Sequence, residues 1–295
     1  MSAARHRGMG PKSIALIAAA VGILSELQPT SVRSVCYQLF NRKLMPDMSR
    51  KSTGNVSRLL VKAREQGLIQ WGWIVDETRE AETIAQWDRP ESIIRVAMRT
   101  YRKDRWQDQA NRVEVWSEKG TVRGTLAPIL REYGVTFRVM HGFGSATVLH
   151  DIAEEAAASA KPLRVLYVGD RDPSGMHMSD VDAPGRVARY GGEVTIDRIA
   201  LTADDVAILN WANFPASDKR KDPRYAWFVR NYGDRCAELD ALSPVDLRQR
   251  VEDAIRELLD LDAWGCSARV EAAERESMGT LLSSWQDVMQ AGGAA

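Results

Sequence analysis

The stretch Leu163-Arg164-Val165-Leu166-Tyr167-Val168-Gly169-Asp170-Arg171-Asp172-Pro173-Ser174-Gly175 decides how this chain is read. Its first six residues form a short apolar run with branched and aromatic side chains, the composition of a strand buried on both faces. Gly169 ends the run, and Pro173 with Gly175 force a turn into residues 176–190, which are mostly of helical pattern. Asp170 and Asp172 therefore stand at the C-terminal end of a strand. Two apart in an extended segment, they point to the same side.

Working outward, the same alternation repeats. Residues 113–116 read as a strand that runs into Ser117-Glu118-Lys119-Gly120. A helix is expected over 122–133, stopped by Gly134, then a strand over 136–140 and the glycine turn His141-Gly142-Phe143-Gly144-Ser145. A helix over 146–158 leads to the quoted stretch, and a strand over 194–201 and a helix over 203–209 follow it. Alternating strands and helices imply an α/β fold, a parallel sheet with helices on both faces. In such sheets active groups collect at the C-terminal strand ends, where Glu118, Asp170 and Asp172 fall. Three carboxylates meeting at one spot repel one another, and a hard divalent cation relieves this. Oxygen-only ligands suit Mg²⁺ or Mn²⁺, and Mg²⁺ held by a few carboxylates usually completes its shell with water and substrate phosphate. That points to phosphodiester chemistry. An Asp-x-Asp pair alone also occurs in sugar-nucleotide enzymes and in solvated loops.

The N-terminal part has another style. Residues 12–27 are helical in pattern, and Pro29-Thr30-Ser31 offers a cap for a second helix over 32–39. A polar loop is expected over 41–53, then a helix over 55–66 with Val56, Leu59, Leu60 and Ala63 on one face and Gly67 at its end. Residues 68–75 alternate and are rich in branched and aromatic side chains, which predicts a strand. Helix, turn, helix and strand is the order of a winged helix-turn-helix, in which one helix enters the DNA major groove. A small helical module that binds protein would show the same pattern. In the DNA-binding reading Arg58, Lys62 and Arg64 are the DNA contacts.

Composition narrows the class. The chain has 295 residues and a formal net charge of zero, so charge alone argues for no partner. Its distribution says more: residues 1–80 hold roughly twice as many Lys/Arg as Asp/Glu, a basic region suited to a polyanion. Cys36, Cys236 and Cys266 are far apart and odd in number, which supports neither a zinc site nor a disulfide framework and fits a reducing setting. No apolar run approaches the roughly 18 residues of a membrane span, and residues 13–24 are expected to form a buried helix rather than a leader.

Taken together, Val115-Trp116-Ser117-Glu118-Lys119, His141-Gly142-Phe143-Gly144 and Gly169-Asp170-Arg171-Asp172-Pro173-Ser174-Gly175 resemble a Toprim domain. More narrowly, they are similar to that of the topoisomerase VI A subunit and its relative, the meiotic double-strand-break transesterase. The resemblance implies that Glu118, Asp170 and Asp172 are metal ligands and that Lys119 is the basic residue beside them. Upstream, Ser31-Val32-Arg33-Ser34-Val35-Cys36-Tyr37 is similar to the family's winged-helix segment, where an Arg precedes a pair of tyrosines. Tyr37 falls on the second tyrosine, the family's nucleophile, and Arg33 lies one helical turn earlier on the same face. Cys36 stands where the family has its first tyrosine. The implied reaction is transesterification by Tyr37, with Arg33 and the metal stabilising charge on the phosphate. The resemblance also implies a homodimer; since no GxxxxGK[ST] loop occurs in this sequence, either a separate ATPase subunit exists or the chain is not a strand-passing topoisomerase.

The expected organisation is a tail over 1–11, a winged-helix domain over 12–80, a helical connector over 81–111, a Rossmann-like Toprim domain over 112–245 and a helical region over 246–295. The expected setting is the cytoplasm, on the nucleoid, with DNA as partner and no membrane. Two other functions share these residues: a hydrolytic Toprim nuclease using metal-bound water, and a DNA-binding protein without catalysis. Glu238 and Asp240 are expected to cap the following helix, with an outer-shell metal role as the alternative. The basic loop Lys219, Arg220, Lys221, Arg224 is open between phosphate contact and solvated turn.

Overall fold

A computed structural model describes residues 10–74, 85–140, 146–208 and 213–292, with side chains to residue 287. Two compact units emerge. One joins residues up to 79 with 113–257, and the other joins 80–112 with 258–295. This division differs from the expected segments: the N-terminal helices and the sheet share a unit, and the connector region shares one with the last helix.

In the first unit α1 (Pro11–Leu27), α2 (Val32–Asn41) and α3 (Arg50–Glu65) enclose a core of Ile23, Leu24, Val35, Leu39, Val56 and Leu60. Ser31 caps α2 by accepting from the Ser34 amide at 3.2 Å. α3 begins five residues earlier than its apolar face announces, because Ser49 caps it and Asp47 in turn accepts from the Ser49 amide at 2.9 Å. The strand expected over 68–75 does not form among the described residues. A 3-10 turn spans Trp71–Trp73, and only an isolated bridge pairs Thr30 with Ile74. Arg64 explains the difference. Its guanidinium stacks 4.3 Å from the Trp71 ring and donates to the Trp71 carbonyl at 2.8 Å, folding the segment back onto α3.

In the second unit α4 (Pro90–Thr100) and a 3-10 turn over Arg105–Asp108 meet the long helix over residues 261–292. The sheet of the first unit then begins with β1 (Arg112–Ser117), followed by α5 (Arg123–Tyr133), β2 (Thr136–Val139), α6 (Ala146–Ala158), β3 (Leu163–Val168), α7 (Pro173–His177), α8 (Ala183–Arg189), β4 (Val194–Ala200) and α9 (Ala203–Ile208). The four strands form one parallel sheet in the order β2-β1-β3-β4. Leu163, Val165 and Tyr167 pack against residues of α6 and α8, and the alternate Leu166 and Val168 are also buried, so β3 is covered on both faces. Gly134 closes α5 in the left-handed conformation, φ 63°. The helix expected over 176–190 is broken: a π-type turn over Met178–Asp182 separates α7 from α8. Pro184 lacks the amide that would continue the α ladder, which accounts for the shift. The glycine turn expected at 141–145 lies outside the described residues.

Beyond the sheet come β5 (Phe214–Pro215), α10 (Tyr225–Tyr232) and β6 (Arg235–Cys236), then α11 (Pro244–Glu257), which packs on α5 and β4. In the second unit α12 (Leu261–Gly292) is held to the 85–112 segment by Trp106 against Trp264 at 5.6 Å, Arg105 with Glu271 at 3.0 Å, and Tyr101 donating to Glu274 at 2.5 Å. Among the described residues no helix is long and apolar enough to cross a membrane.

Candidate functional site

β1 is followed in sequence by β2 on one side, while β3 and β4 lie on its other side, so the strand order reverses between β1 and β3. Open parallel sheets place ligands in the crevice at such a point, outside the C-terminal strand ends. Glu118 follows β1 and Asp170 follows β3, so both flank this crevice. They line a cavity of about 450 Å³ together with Lys119, Gly120, Thr121, Arg33 and Glu238.

The acidic loop after β3 is held by the backbone on three sides. Arg171 and Ala237 exchange both amide–carbonyl bonds, at 2.9 and 3.0 Å. The Leu239 amide donates to Asp170 Oδ1 at 2.7 Å. Asp172 Oδ1 caps α7 by accepting from the Gly175 amide at 2.8 Å. From β4, Arg198 reaches under the loop and donates to the carbonyls of Gly169, Asp170 and Gly175 at 3.1, 3.3 and 2.7 Å. Neither loop glycine has room for a side chain. A Cβ on Gly175 would lie 2.3 Å from the Asp170 carbonyl oxygen, and one on Gly169 would lie 2.6 Å from the Tyr167 ring.

Cations already sit on two of the three acids. Lys119 Nζ lies 2.8 Å from Asp170 and 2.9 Å from Asp240, and Lys219 Nζ lies 3.1 Å from Asp172. Burial works against the Lys119 charge, but Asp170 and Asp240 more than offset it, so its pKa stands above the usual lysine range. Burial pushes the Asp170 carboxyl up, with Lys119 and the Leu239 amide opposing. Glu118 is also pushed up, first by burial and then by repulsion from Asp170 and Asp172. It makes no hydrogen bond or ion pair with a described residue.

The expected ligand set is therefore brought to one end of the sheet but not to one point. The carboxylate oxygens of Glu118, Asp170 and Asp172 do not all come within 4.8 Å of one another, and one oxygen of Asp172 is spent on its helix cap. Glu118 and Asp170 fit a hard cation by donor type, and Glu118 has no hydrogen bond or ion pair with a described residue. Among the described residues, the ligand atoms that do converge within 4.8 Å are those of His150, Asp151 and Glu154, all exposed on α6.

Tyr37 and Arg33 come to the same site from α2. Tyr37 is 7 % exposed and its hydroxyl donates to Glu238 Oε2 at 2.5 Å. Arg33 pairs with Glu238 and, at 2.9 Å, with Asp240. Burial raises the Tyr37 pKa well above the ordinary phenol value, and the bond to Glu238 adds to it. Glu238 and Asp240 do not cap a helix as expected. The 3-10 turn over Leu239–Ala241 has no side-chain cap, and both carboxylates are spent on α2 and Lys119. Pattern reading singled them out without their partners, since nothing in their spacing announces the bridge from Ala237 to the acidic loop.

Of the expected DNA contacts, Arg58 and Lys62 are exposed on α3, in line with Lys51, whereas Arg64 is engaged on Trp71. Of the basic loop, Lys219 is on Asp172 and Arg224 pairs with Asp222 at 3.3 Å. No protein-family model matches the chain, and no curated protein matches it.

Proposed function

We propose that this chain is a DNA-cleaving transesterase: a winged-helix module joined to a Toprim-type sheet, with Tyr37 as the nucleophile toward a backbone phosphodiester. The observation that carries the reading is the shared cavity. Arg33 from α2 and Glu118, Lys119 and Asp170 from the sheet line one space, and Tyr37 is tied to its wall through Glu238. Arg33 and Lys119 supply positive charge for a phosphate, and the exposed Lys51, Arg58 and Lys62 supply a stripe of cations along α3 for the rest of the duplex. Glu118 and Asp170 would hold Mg²⁺ or Mn²⁺, with Asp172 and Asp240 behind them. The ion would contribute charge stabilisation on phosphate oxygens. DNA is the proposed partner, a homodimer the proposed assembly, and a separate ATPase subunit the proposed source of any strand passage. A nucleoid-bound setting goes with these.

One observation favours a second reading. Tyr37 is nearly covered and its hydroxyl is engaged, whereas Glu118 lines the cavity with no hydrogen bond or ion pair to a described residue, an arrangement that suits a hydrolytic metal nuclease. A supercoiled-plasmid assay with Mg²⁺ or Mn²⁺, quenched with detergent and analysed with and without protease, separates the two. Protein-linked breaks lost in both Tyr37→Phe and Asp170→Ala are the expected result. Cutting that survives Tyr37→Phe but not Asp170→Ala makes the chain a nuclease. Salt-sensitive binding without cutting leaves a DNA-binding protein.

A further inference from the structure

We propose that Glu238 is the general base of the site, taking the phenolic proton of Tyr37 as its oxygen attacks phosphorus. The proposal rests on the transesterase reading above and adds a catalytic residue to it.

Geometry comes first. A general base must lie within hydrogen-bond reach, no more than about 3.2 Å, of the proton-bearing atom. Glu238 Oε2 lies 2.5 Å from the Tyr37 hydroxyl oxygen, and the tyrosine is 7 % exposed, so bulk water is a poor competitor. The carboxylate is not on a loose loop. Its neighbour Ala237 exchanges two backbone bonds with Arg171, and its other neighbour, Leu239, donates to Asp170. The base is thus fixed to the segment that carries the acids on the sheet side, and the nucleophile to α2.

The other groups nearby do not fit the role. Asp240 is held by both Arg33 and Lys119 and has no bond to Tyr37. Lys119 is an ammonium between two carboxylates and has no lone pair to offer. Arg33 is a cation 5.6 Å from the tyrosine ring, placed for an anion.

The state of Glu238 suits it. Burial alone would raise its pKa, but the bonds from Tyr37 and Arg33 outweigh this and hold it below the usual glutamate range, ionised and ready to accept. Arg33 also links base and substrate. A phosphate that draws Arg33 away removes the cation that keeps Glu238 acidic, so its proton affinity rises when DNA is in place. A carboxylate acting on a hydroxyl of much higher pKa at a phosphoryl centre has a parallel in the catalytic-loop Asp of protein kinases.

The step balances without a further reactant. The O–H bond of Tyr37 breaks and its proton passes to Glu238. The tyrosine oxygen bonds phosphorus, the bond from phosphorus to a sugar oxygen breaks, and that oxygen leaves with a proton from water. In resealing, the protonated Glu238 returns its proton to the departing phenolate.

The test measures protein-linked DNA from plasmid and Mg²⁺ with the full chain, comparing wild type with Glu238→Gln and Glu238→Asp. Gln keeps the size and can still accept the tyrosine hydrogen bond, so the contact with α2 is kept while the charge beside Arg33 is lost. General-base loss is expected to slow linkage at least ~100-fold, while binding of a fluorescent duplex stays within about a factor of three. Glu238→Asp, which keeps the charge one methylene short, is expected to fall between the two. A fluorinated tyrosine at position 37, whose phenol ionises more easily, should recover much of the Glu238→Gln loss. Linkage by Glu238→Gln at the wild-type rate, or a loss that the fluorinated tyrosine does not relieve, overturns the proposal and leaves the transesterase standing. Wild type that cuts DNA without protein linkage overturns both. Should Glu238→Gln melt far below wild type, Glu238→Asp with the fluorinated residue gives the same decision.

Discussion

The ammonium of Lys119 stands 2.8 Å from the carboxylate of Asp170 and 2.9 Å from that of Asp240. It joins Asp170, which follows β3, to Asp240, the acid that pairs with Arg33 of α2. Lys119→Met keeps the length and removes the charge, leaving two largely buried carboxylates short of a partner, which should cost about 3 kcal/mol. Excess Mg²⁺ should return part of that loss by taking up the charge on Asp170. Thermal melts with and without the ion check this: a larger Mg²⁺ shift in Lys119→Met than in wild type is expected.

Tyr37, Arg33, Lys119 and Asp170 belong to one compact unit of one chain. The family that the motifs resemble takes tyrosine and metal from different protomers. If cleavage is assembled within one chain, mixing Tyr37→Phe with Asp170→Ala should yield no more protein-linked DNA than either alone. Restored nicking in the mixture would mean that the tyrosine crosses to a partner.

Gly175 and Gly185 make opposite predictions. A side chain at Gly175 collides with the Asp170 carbonyl, while nothing lies within 4 Å of a Cβ at Gly185 in α8. Gly175→Ala should destabilise the chain by about 2–3 kcal/mol and weaken Mn²⁺ binding, because the loop that presents Asp170 must shift. Gly185→Ala should be neutral or stabilise by up to about 1 kcal/mol. Urea unfolding and a metal titration read both.

Much of this site was written locally. The apolar run of β3, its Gly169 stop and the Asp-Arg-Asp-Pro turn are short-range signals, and so is the Ser31 cap that starts α2. What pattern could not carry is long-range. Glu238 reaches Tyr37 only because Ala237 pairs with Arg171, and Arg198 grips three carbonyls whose directions exist only once the loop has turned. The Trp71-Gly72-Trp73 segment misleads for a related reason. Its alternation is that of a strand, but the stacking of Arg64 on Trp71 decides the backbone, and stacking leaves no periodic trace.

Acid should undo the contact of α2 with Glu238. The folded pKa of Glu238 is depressed below its unfolded value of about 4.3. Its contribution to stability is therefore present above that value and lost as pH falls through the lower folded one. Glu118, raised by burial, has the opposite sign: its favourable contribution is present at low pH and lost as pH rises through its raised value. Urea midpoints measured from about pH 5 to about pH 3 should fall more steeply for wild type than for Glu238→Gln. Parallel curves would show that Glu238 is not linked to folding.

Arg58 and Lys62 are exposed one turn apart on α3 and leave the core untouched. The double variant Arg58→Ala/Lys62→Ala should weaken duplex binding uniformly across sequences and lower the slope of log affinity against log salt by about two. Arg64→Ala should instead disturb the Trp71 turn and lower stability. Anisotropy titrations at several salt concentrations and a melt of each protein distinguish these roles.

The second unit has a temporal consequence. Tyr101 finds Glu274, and Gln109 finds Asp260, across more than 150 positions of chain. At a synthesis rate of about 5–20 residues per second, the segment around α4 leaves the ribosome roughly 10–30 s before α12 exists to receive it. No residue of α4 is buried even in the finished fold. This helix must therefore spend its first seconds as a solvated, charged segment while the sheet and its acidic loop fold without it.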